Sequence, residues 1–271
     1  MKIMSLNAWV GKRGQDLFDF VSKTAPNIDV FCFQEIFSSP FLTTNGSLTI
    51  DGGHLNLLSE LSRLLVNHTG LFSPSSDLIY QDHNGNICEG ISSRNPCSIG
   101  NAMFIRKSLQ IEASGDIFIN GNRNSKALGF TTTSPKAMQY AVIVENGKKI
   151  NVFNVHGLWD GGGKKDSPER LAQSRAITTF LRLFPGKIIL LGDFNLDPET
   201  ESIRIIEGNG KMLNLISKFG VSSTRTRLYR SYTTGSKFAD YCFVSPDVKI
   251  LDFKVDPAEV SDHSPLILDS D

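Results

Sequence analysis

IILLGDFNLDP, residues 188–198, begins as a buried strand and ends as something else. Ile188, Ile189, Leu190 and Leu191 are apolar without alternation, the pattern of a strand covered on both faces. Gly192 interrupts the run, and Asp193, Asn195 and Asp197 follow within five residues. Asp and Asn after a glycine are ordinary turn formers, so this stretch alone does not separate a turn from a site. The other apolar runs bear on the choice.

Working outward, KIMSL ends at Asn7, DVFCF at Gln34-Glu35 and INVFNV at His156. Asp240 opens DYCFV, and Asp262-His263 stand just before SPLIL. Six apolar segments thus carry a carboxylate, an amide or an imidazole at one end. Each has a plain explanation taken singly: a turn former, a capping side chain, a solvated strand end. All six together require a coincidence of placement. If the ends converge, they form one polar pocket at the rim of a sheet, positioned by rigid strands.

The segments between these runs set the fold class. QDLFDFVSK has helical spacing, and HLNLLSELSRLLVNH aligns Leu57, Leu58, Leu61, Leu64 and Leu65 on one face. DSPERLAQSRAITTFLRLF is the strongest helix, with Ser167 to cap it, Pro168 in the first turn and Glu169 at the positive end of the dipole. QYAVIVENGKKINVFNVHG reads as a hairpin about Asn146-Gly147. Residues 70–100, rich in Ser, Asn, Gly and Pro, read as a long loop or broken hairpin, while NAMFIRKSL and ALGFTTT suggest short strands. FADYCFVS, VKILDFKV and SPLILD read as three late strands. No repeat, low-complexity tract or linker interrupts the chain, so residues 1–271 are expected to form one layered α+β domain. Periodicity leaves strand order open.

The chain has 271 residues, 28 basic and 28 acidic, and no formal net charge. That excludes the strongly basic balance of a dedicated nucleic-acid binder but not a local basic patch. No apolar run approaches the roughly 20 residues of a membrane span. The opening MKIMSLNAWVGKRG lacks the apolar core of an export signal, so a soluble cytoplasmic protein is expected. The four cysteines form no C-x-x-C pair, which argues against a zinc knuckle or a thioredoxin motif. Cys32 and Cys242 sit in strand-like runs as small core hydrophobes. Cys88 and Cys97 are expected to be reduced thiols, a disulfide being the alternative in an exported protein.

SLNAW, FQEI, NVHGLW, GDFN, ADYCFVS and SDHSPL, in this order, resemble the motif series of the endonuclease/exonuclease/phosphatase superfamily, whose fold is deoxyribonuclease-I-like. The resemblance runs from residue 5 to residue 265. It implies a four-layer α/β/β/α sandwich of two mainly antiparallel sheets with outer helices. It also implies cleavage of phosphoester bonds with a divalent metal, and the hard oxygen donors suit Mg²⁺ or Mn²⁺. By resemblance, Glu35 is the principal metal ligand, with Asn7 and Asp262 near or on the metal. Asp193 takes the proton from the attacking water, or serves a second metal, and Asn195 orients that water or a phosphate oxygen. His263 contacts a non-bridging oxygen, with Asp240 holding its other ring nitrogen and favouring the protonated imidazole. His156 is a second imidazole donor, to the transition-state charge or the leaving group. It places the chain with two-histidine members and argues against an abasic-site repair enzyme.

Substrate choice lies in the loops. TRTRLYRS brings Arg225, Arg227 and Arg230 together around Tyr229, which suits phosphate backbone and base stacking, and equally suits a solvated edge. WDGGGKKDSPER lacks phosphate-loop spacing and reads as a mobile loop beside His156. IFSSPFLTT, with Phe37, Phe41 and Leu42, is a small apolar segment near Glu35. Three readings stand: a phosphodiesterase acting on nucleic acid; a phosphatase or phosphodiesterase for a small or lipid headgroup, such as inositol phosphate or sphingomyelin; and an inactive binding module. An inactive module has no physical need for Glu35, Asp193 and His263 together. The sequence does not give an oligomeric state.

Overall fold

The structure is a computed structural model that describes residues 1–39, 49–50, 52–77, 79–81, 87–89, 98–123, 132–145, 147–208 and 210–271. The apolar runs become the centres of two six-stranded sheets. Sheet one has the order β15 (Ile250–Val255), β16 (Leu266–Ser270), β1 (Lys2–Asn7), β2 (Val30–Ser38), β8 (Ser98–Arg106), β5 (His68–Asp77). Sheet two has the order β13 (Leu213–Asn214), β14 (Asp240–Val244), β12 (Lys187–Asp193), β11 (Lys148–His156), β10 (Lys136–Glu145), β9 (Gln110–Asn120). Two short ribbons complete the strands, β3 (Thr49–Ile50) with β4 (Gly53–His54), and β6 (Ile79–Gln81) with β7 (Ile87–Glu89).

Helices cover the outer faces. On sheet one, α1 (Gln15–Thr24) and α2 (Leu57–Leu64) place Leu17, Val21, Leu57 and Leu61 against Phe31 and Phe33 of β2. On sheet two, Phe180 of α3 (Pro168–Leu181) and Phe184 just beyond it pack on Tyr140 and Phe153. Ser167 caps α3 by accepting from Arg170 N at 3.3 Å. Beyond α3 lie α4 (Glu201–Glu207) and the single-turn α5 (Leu215–Lys218). The molecule is therefore the four-layer sandwich that the motif series implies, two mixed sheets between helices.

Each sheet contains one parallel pair, β1–β2 in the first and β11–β12 in the second. These pairs face each other, and the period of two puts alternate residues between the sheets. The inward series are Ile3, Ser5, Asn7; Val30, Cys32, Gln34; Val152, Asn154, His156; and Ile189, Leu191, Asp193. Every series starts apolar and ends polar, and in two of them Ser5 and Asn154 are already polar one step before the end. The C-terminal end of the inter-sheet layer is thus an amide network. Gln34 Nε2 donates to Asn154 Oδ1 at 2.6 Å, and Asn154 Nδ2 donates to Phe33 O at 3.0 Å and Gln139 Oε1 at 3.4 Å. Such groups are tolerated inside because they bond one another across the two sheets, Gln34 Oε1 alone of this network lacking a partner among the described residues.

The segment at 188–198 corrects one expectation. Gly192 does not end the strand; β12 continues through Asp193, which pairs with His156. A Cβ on Gly192 would lie 2.1 Å from Val155 O, and its φ is +139°, so glycine is required for close approach to β11. Where residues 70–100 are described, strands replace the expected loop at both ends: β5 pairs antiparallel with β8 from His68↔Arg106 to Asp77↔Ser98. The β10–β11 hairpin has the expected register, with Glu145 opposite Lys148 and Gly147 at φ +75°. Cys32 and Cys242 are buried free thiols, and burial pushes both pKa values up. Cys97, Phe41, Leu42, Asn146, most of ALGFTTT and the Cys88 side chain lie outside the described residues. Among the described residues no helix is long and apolar enough to cross a membrane.

Candidate functional site

Parallel strands end on the same side of a sheet, and an antiparallel neighbour begins there. Asn7 pairs with Gln34, His156 with Asp193, and Asp193 with Asp240, the first residue of β14. The loop 261–264 enters β16 at the same end, where Leu266 pairs with Ser5 of β1. Topology alone therefore brings all six polar strand ends together. They surround one cleft of about 500 Å³, lined by Glu35, His156, Asp193, Asn195, Asp262 and His263 among others. Asn7 and Asp240 stand behind this lining, both buried.

Asn7 joins the two sheets. Its Nδ2 donates to Asp193 Oδ2 at 2.9 Å, and its Oδ1 accepts from Trp9 N at 2.9 Å. Its side chain also hydrogen-bonds Glu35. The surrounding protein pushes the Glu35 carboxyl up to about 7, opposed by the Asn7 hydrogen bond and reinforced by Asp262 and Asp193. A carboxylate held among carboxylates in this way suits a bound cation.

His263 lies across the cleft floor. Its Nδ1 sits 2.9 and 2.8 Å from the two Asp240 oxygens, and its Nε2 3.6 Å from Asp193 Oδ2. Burial pushes Asp240 up to about 7 and His263 down to about 4, so both tend to the neutral form. This reverses the expected direction for His263: Arg225 and Lys164 nearby oppose a charged ring, and desolvation outweighs Asp262 and Asp193. Either way the pair keeps one proton between Nδ1 and the carboxyl.

His156 also differs from expectation. Lys136 Nζ lies 3.1 Å from His156 Nε2, and Glu35 Oε1 lies 3.7 Å from the same nitrogen. Burial, Lys136 and His263 hold the imidazole well below its ordinary pKa, so it is not poised as a charged donor. Burial lowers Lys136, while Glu35 and Asp193 favour its charged form.

Two more cations enter from loops. Arg225, β-bridged to His263, donates from Nη1 to Asp262 Oδ2 at 2.8 Å and stacks 4.4 Å from the Tyr229 ring centroid. Lys164 Nζ lies 5.6 Å from the same ring and donates to Phe238 O at 2.5 Å. The arginines of TRTRLYRS therefore do not form one patch: Arg225 is buried at the cleft, whereas Arg227 and Arg230 are exposed. The glycine loop expected to be mobile is tethered. Arg170, 2% exposed, donates to Lys165 O and Gly163 O at 2.6 Å and to Asp160 Oδ1 at 3.1 Å.

Strain gathers here too. Among the described residues the non-glycine positions with positive φ are Trp9 (+48°), Val10 (+47°), Glu35 (+57°) and Asn195 (+54°), and all four line the cleft. Such conformations persist where the surroundings enforce them and cluster at functional sites. Glu35 lies within the register shift of β2 against β8 between Phe33 and Ile36, a bulge that redirects its side chain.

The residues present fit a hard divalent cation. Glu35 and Asp262 offer carboxylate oxygens to one cleft, with Asp193 adjoining. The tightest grouping differs from the trio nominated in the sequence: Asp193, Asp240 and His263 hold ligand atoms within 4.8 Å of one another. There, however, His263 Nδ1 and Asp240 already satisfy each other. Sequence reasoning missed Lys136 and set Lys164 aside with the loop it took to be mobile. The hairpin register carried the signal for Lys136, because it sets Met138 opposite Val155 and so brings the start of β10 to the end of β11.

A family profile described as "Endonuclease/Exonuclease/phosphatase family" matches residues 4–263. No curated protein matches the sequence. Among solved structures, the chain is similar to a mannosyl-6-phosphatase of Bacteroides thetaiotaomicron VPI-5482, with 18% identity over 100% of this chain and 99% of that one and a TM-score of 0.71. A humanized D. rerio TDP2 shows 15% identity over 100% and 98%, TM-score 0.64. The human Nocturnin catalytic domain shows 16% over 100% and 93%, TM-score 0.62. At these identities the likeness establishes the fold alone.

Proposed function

The chain belongs to the Endonuclease/Exonuclease/phosphatase family, and from that premise we propose that it is a phosphoester hydrolase dependent on Mg²⁺ or Mn²⁺, working as one domain and acting on phosphodiester bonds of nucleic acid. The observation that carries the reading is the meeting of Glu35, Asp193, Asp262 and His263 in one cleft with Lys136 and Arg225. Glu35 and Asp262 hold the ion, and Asn7 orients Glu35 and Asp193 from behind. A divalent ion there supplies positive charge to the phosphoryl oxygens. Asp193 accepts the proton of the attacking water, held for that purpose by Asn7 Nδ2 and Asn195 N, each at 2.9 Å. Asn195 faces the same water. His263, fixed by Asp240, presents Nε2 to a non-bridging oxygen as negative charge develops. Trp9, Trp159 and Tyr229 line the cleft and suit stacking of bases.

A second reading, a phosphate ester of a small molecule or lipid headgroup, is favoured by the absence of net charge and by a cleft of about 500 Å³, the volume of a small ligand. The test is a substrate panel with Mg²⁺ and with chelator: plasmid DNA, single-stranded DNA and RNA, a 5′-tyrosyl oligonucleotide, inositol and sugar phosphates, and sphingomyelin. Metal-dependent cleavage of a nucleic acid is expected. Turnover confined to the small or lipid substrates selects the second reading, and no turnover of any overturns both.

A further inference from the structure

Lysine's ammonium has three N–H donors and no lone pair. The 3.1 Å contact between Lys136 Nζ and His156 Nε2 is therefore a hydrogen bond donated by lysine to a bare ring nitrogen, which leaves the imidazole proton on Nδ1. Glu35 Oε1, at 3.7 Å from Nε2, is beyond hydrogen-bond distance and does not compete for that nitrogen. The group at this corner with N–H bonds to offer is thus Lys136 and not His156. Lys136 opens β10 and reaches the cleft from sheet two, where Glu35 and Asp193 are its charged neighbours. Among the described residues the hydrogen bond shown for its ammonium is the one to His156. Its other donors are available to a ligand in the cleft, which Glu35 and His263 also line.

We propose that Lys136 is a substrate-contacting residue, its ammonium meeting an oxygen of the phosphoester, and that His156 is a positioning residue that acts by holding Lys136 in place. This rests on the phosphoester reading above. The phosphoryl group is then bracketed by two donors from different sheets, His263 fixed by Asp240 and Lys136 fixed by His156. Each donor is steered by a partner that does not itself touch the substrate.

Two measurements test it. In ¹⁵N NMR of the whole protein, the His156 ring should show Nδ1 protonated and Nε2 as a hydrogen-bond acceptor. A proton on Nε2 overturns the proposal, and this readout needs neither substrate nor activity. In kinetics with bis(p-nitrophenyl) phosphate and p-nitrophenyl phosphate plus Mg²⁺, Lys136→Met should lower kcat/KM by about 10²-fold, the usual loss of one transition-state donor. Lys136→Arg, which keeps charge and donors, should recover part of that loss. His156→Ala should lose about as much as Lys136→Met, and the double variant should lose no more than either, as expected of residues acting as one unit. Lys136→Met within a few-fold of wild type, or losses that multiply, would contradict it. Wild-type protein inert toward both esters with every divalent metal would instead count against the phosphoester reading, while the His156 tautomer still decides the contact.

Discussion

The two parallel pairs do the same job by opposite means. In sheet two, β11–β12 delivers His156 and Asp193 from regular strands in register, and the close approach this needs is met by Gly192, which has no side chain to collide with Val155 O. In sheet one, β1–β2 delivers Asn7 in register but Glu35 only through a break in the pairing of β2 with β8, and the left-handed residue is Glu35 itself, at φ +57°. The difference follows from which residue must keep its side chain. On β12 the awkward position and the functional position are neighbours, so glycine takes the strain. On β2 they coincide, so glycine is unavailable and the fold carries the cost, about 1–3 kcal/mol for such a conformation.

The largest effect is expected where glycine resolves the conflict. Gly192→Ala puts a methyl group 2.1 Å from a backbone oxygen at φ +139°, and neither neighbour can yield without moving a central strand. A loss of about 4 kcal/mol or more in chemical denaturation is expected; a loss under about 1 kcal/mol would show that the approach is not tight. Next come the functional ends. Asp193→Asn or His263→Ala should lower hydrolysis by at least about 10²-fold while leaving the fold intact, and wild-type-like turnover in both would remove the assignment.

Glu35→Gly should do the reverse. It relieves the left-handed backbone and removes a carboxyl crowded by Asp262 and Asp193, so the metal-free protein should gain about 1 kcal/mol while hydrolysis is lost. Destabilisation by this change would mean that Glu35 is not strained and would break the comparison. The smallest effect lies outside both pairs. His68 Nε2 is 2.9 Å from Ile28 O, and burial lowers its pKa below 6.5. The unfolded chain then binds that proton more readily, so stability should fall as the pH drops below about 6.5. His68→Gln should flatten that part of the stability–pH curve without changing turnover; an unchanged curve would assign the acid sensitivity elsewhere.

How much was legible in the sequence follows the same division. Asn7, Glu35, His156, Asp193, Asp240 and Asp262-His263 were visible because each ends or opens an apolar run, and strands place their ends by topology. Gly192 was visible but misread, since its reason is a neighbouring backbone that no local pattern shows. The bulge at Glu35 left no local signal, because it arises from pairing with β8. Lys164 and Arg225 come from irregular segments, where side-chain direction follows tertiary contacts such as the Arg225↔His263 bridge and not periodicity. The expectation of a protonated His263 missed burial and the cations Arg225 and Lys164 for a related reason: they become its neighbours only on folding.

The central claim is that the ends of the two parallel pairs, with the loop before β16, close around one divalent cation. Anomalous diffraction from crystals grown with Mn²⁺ tests it most directly. The expected result is a peak in the cleft within about 2–2.5 Å of carboxylate oxygens from both Glu35 and Asp262, lost in Glu35→Gly. An empty cleft at saturating Mn²⁺, or an ion bound away from Glu35, would contradict it.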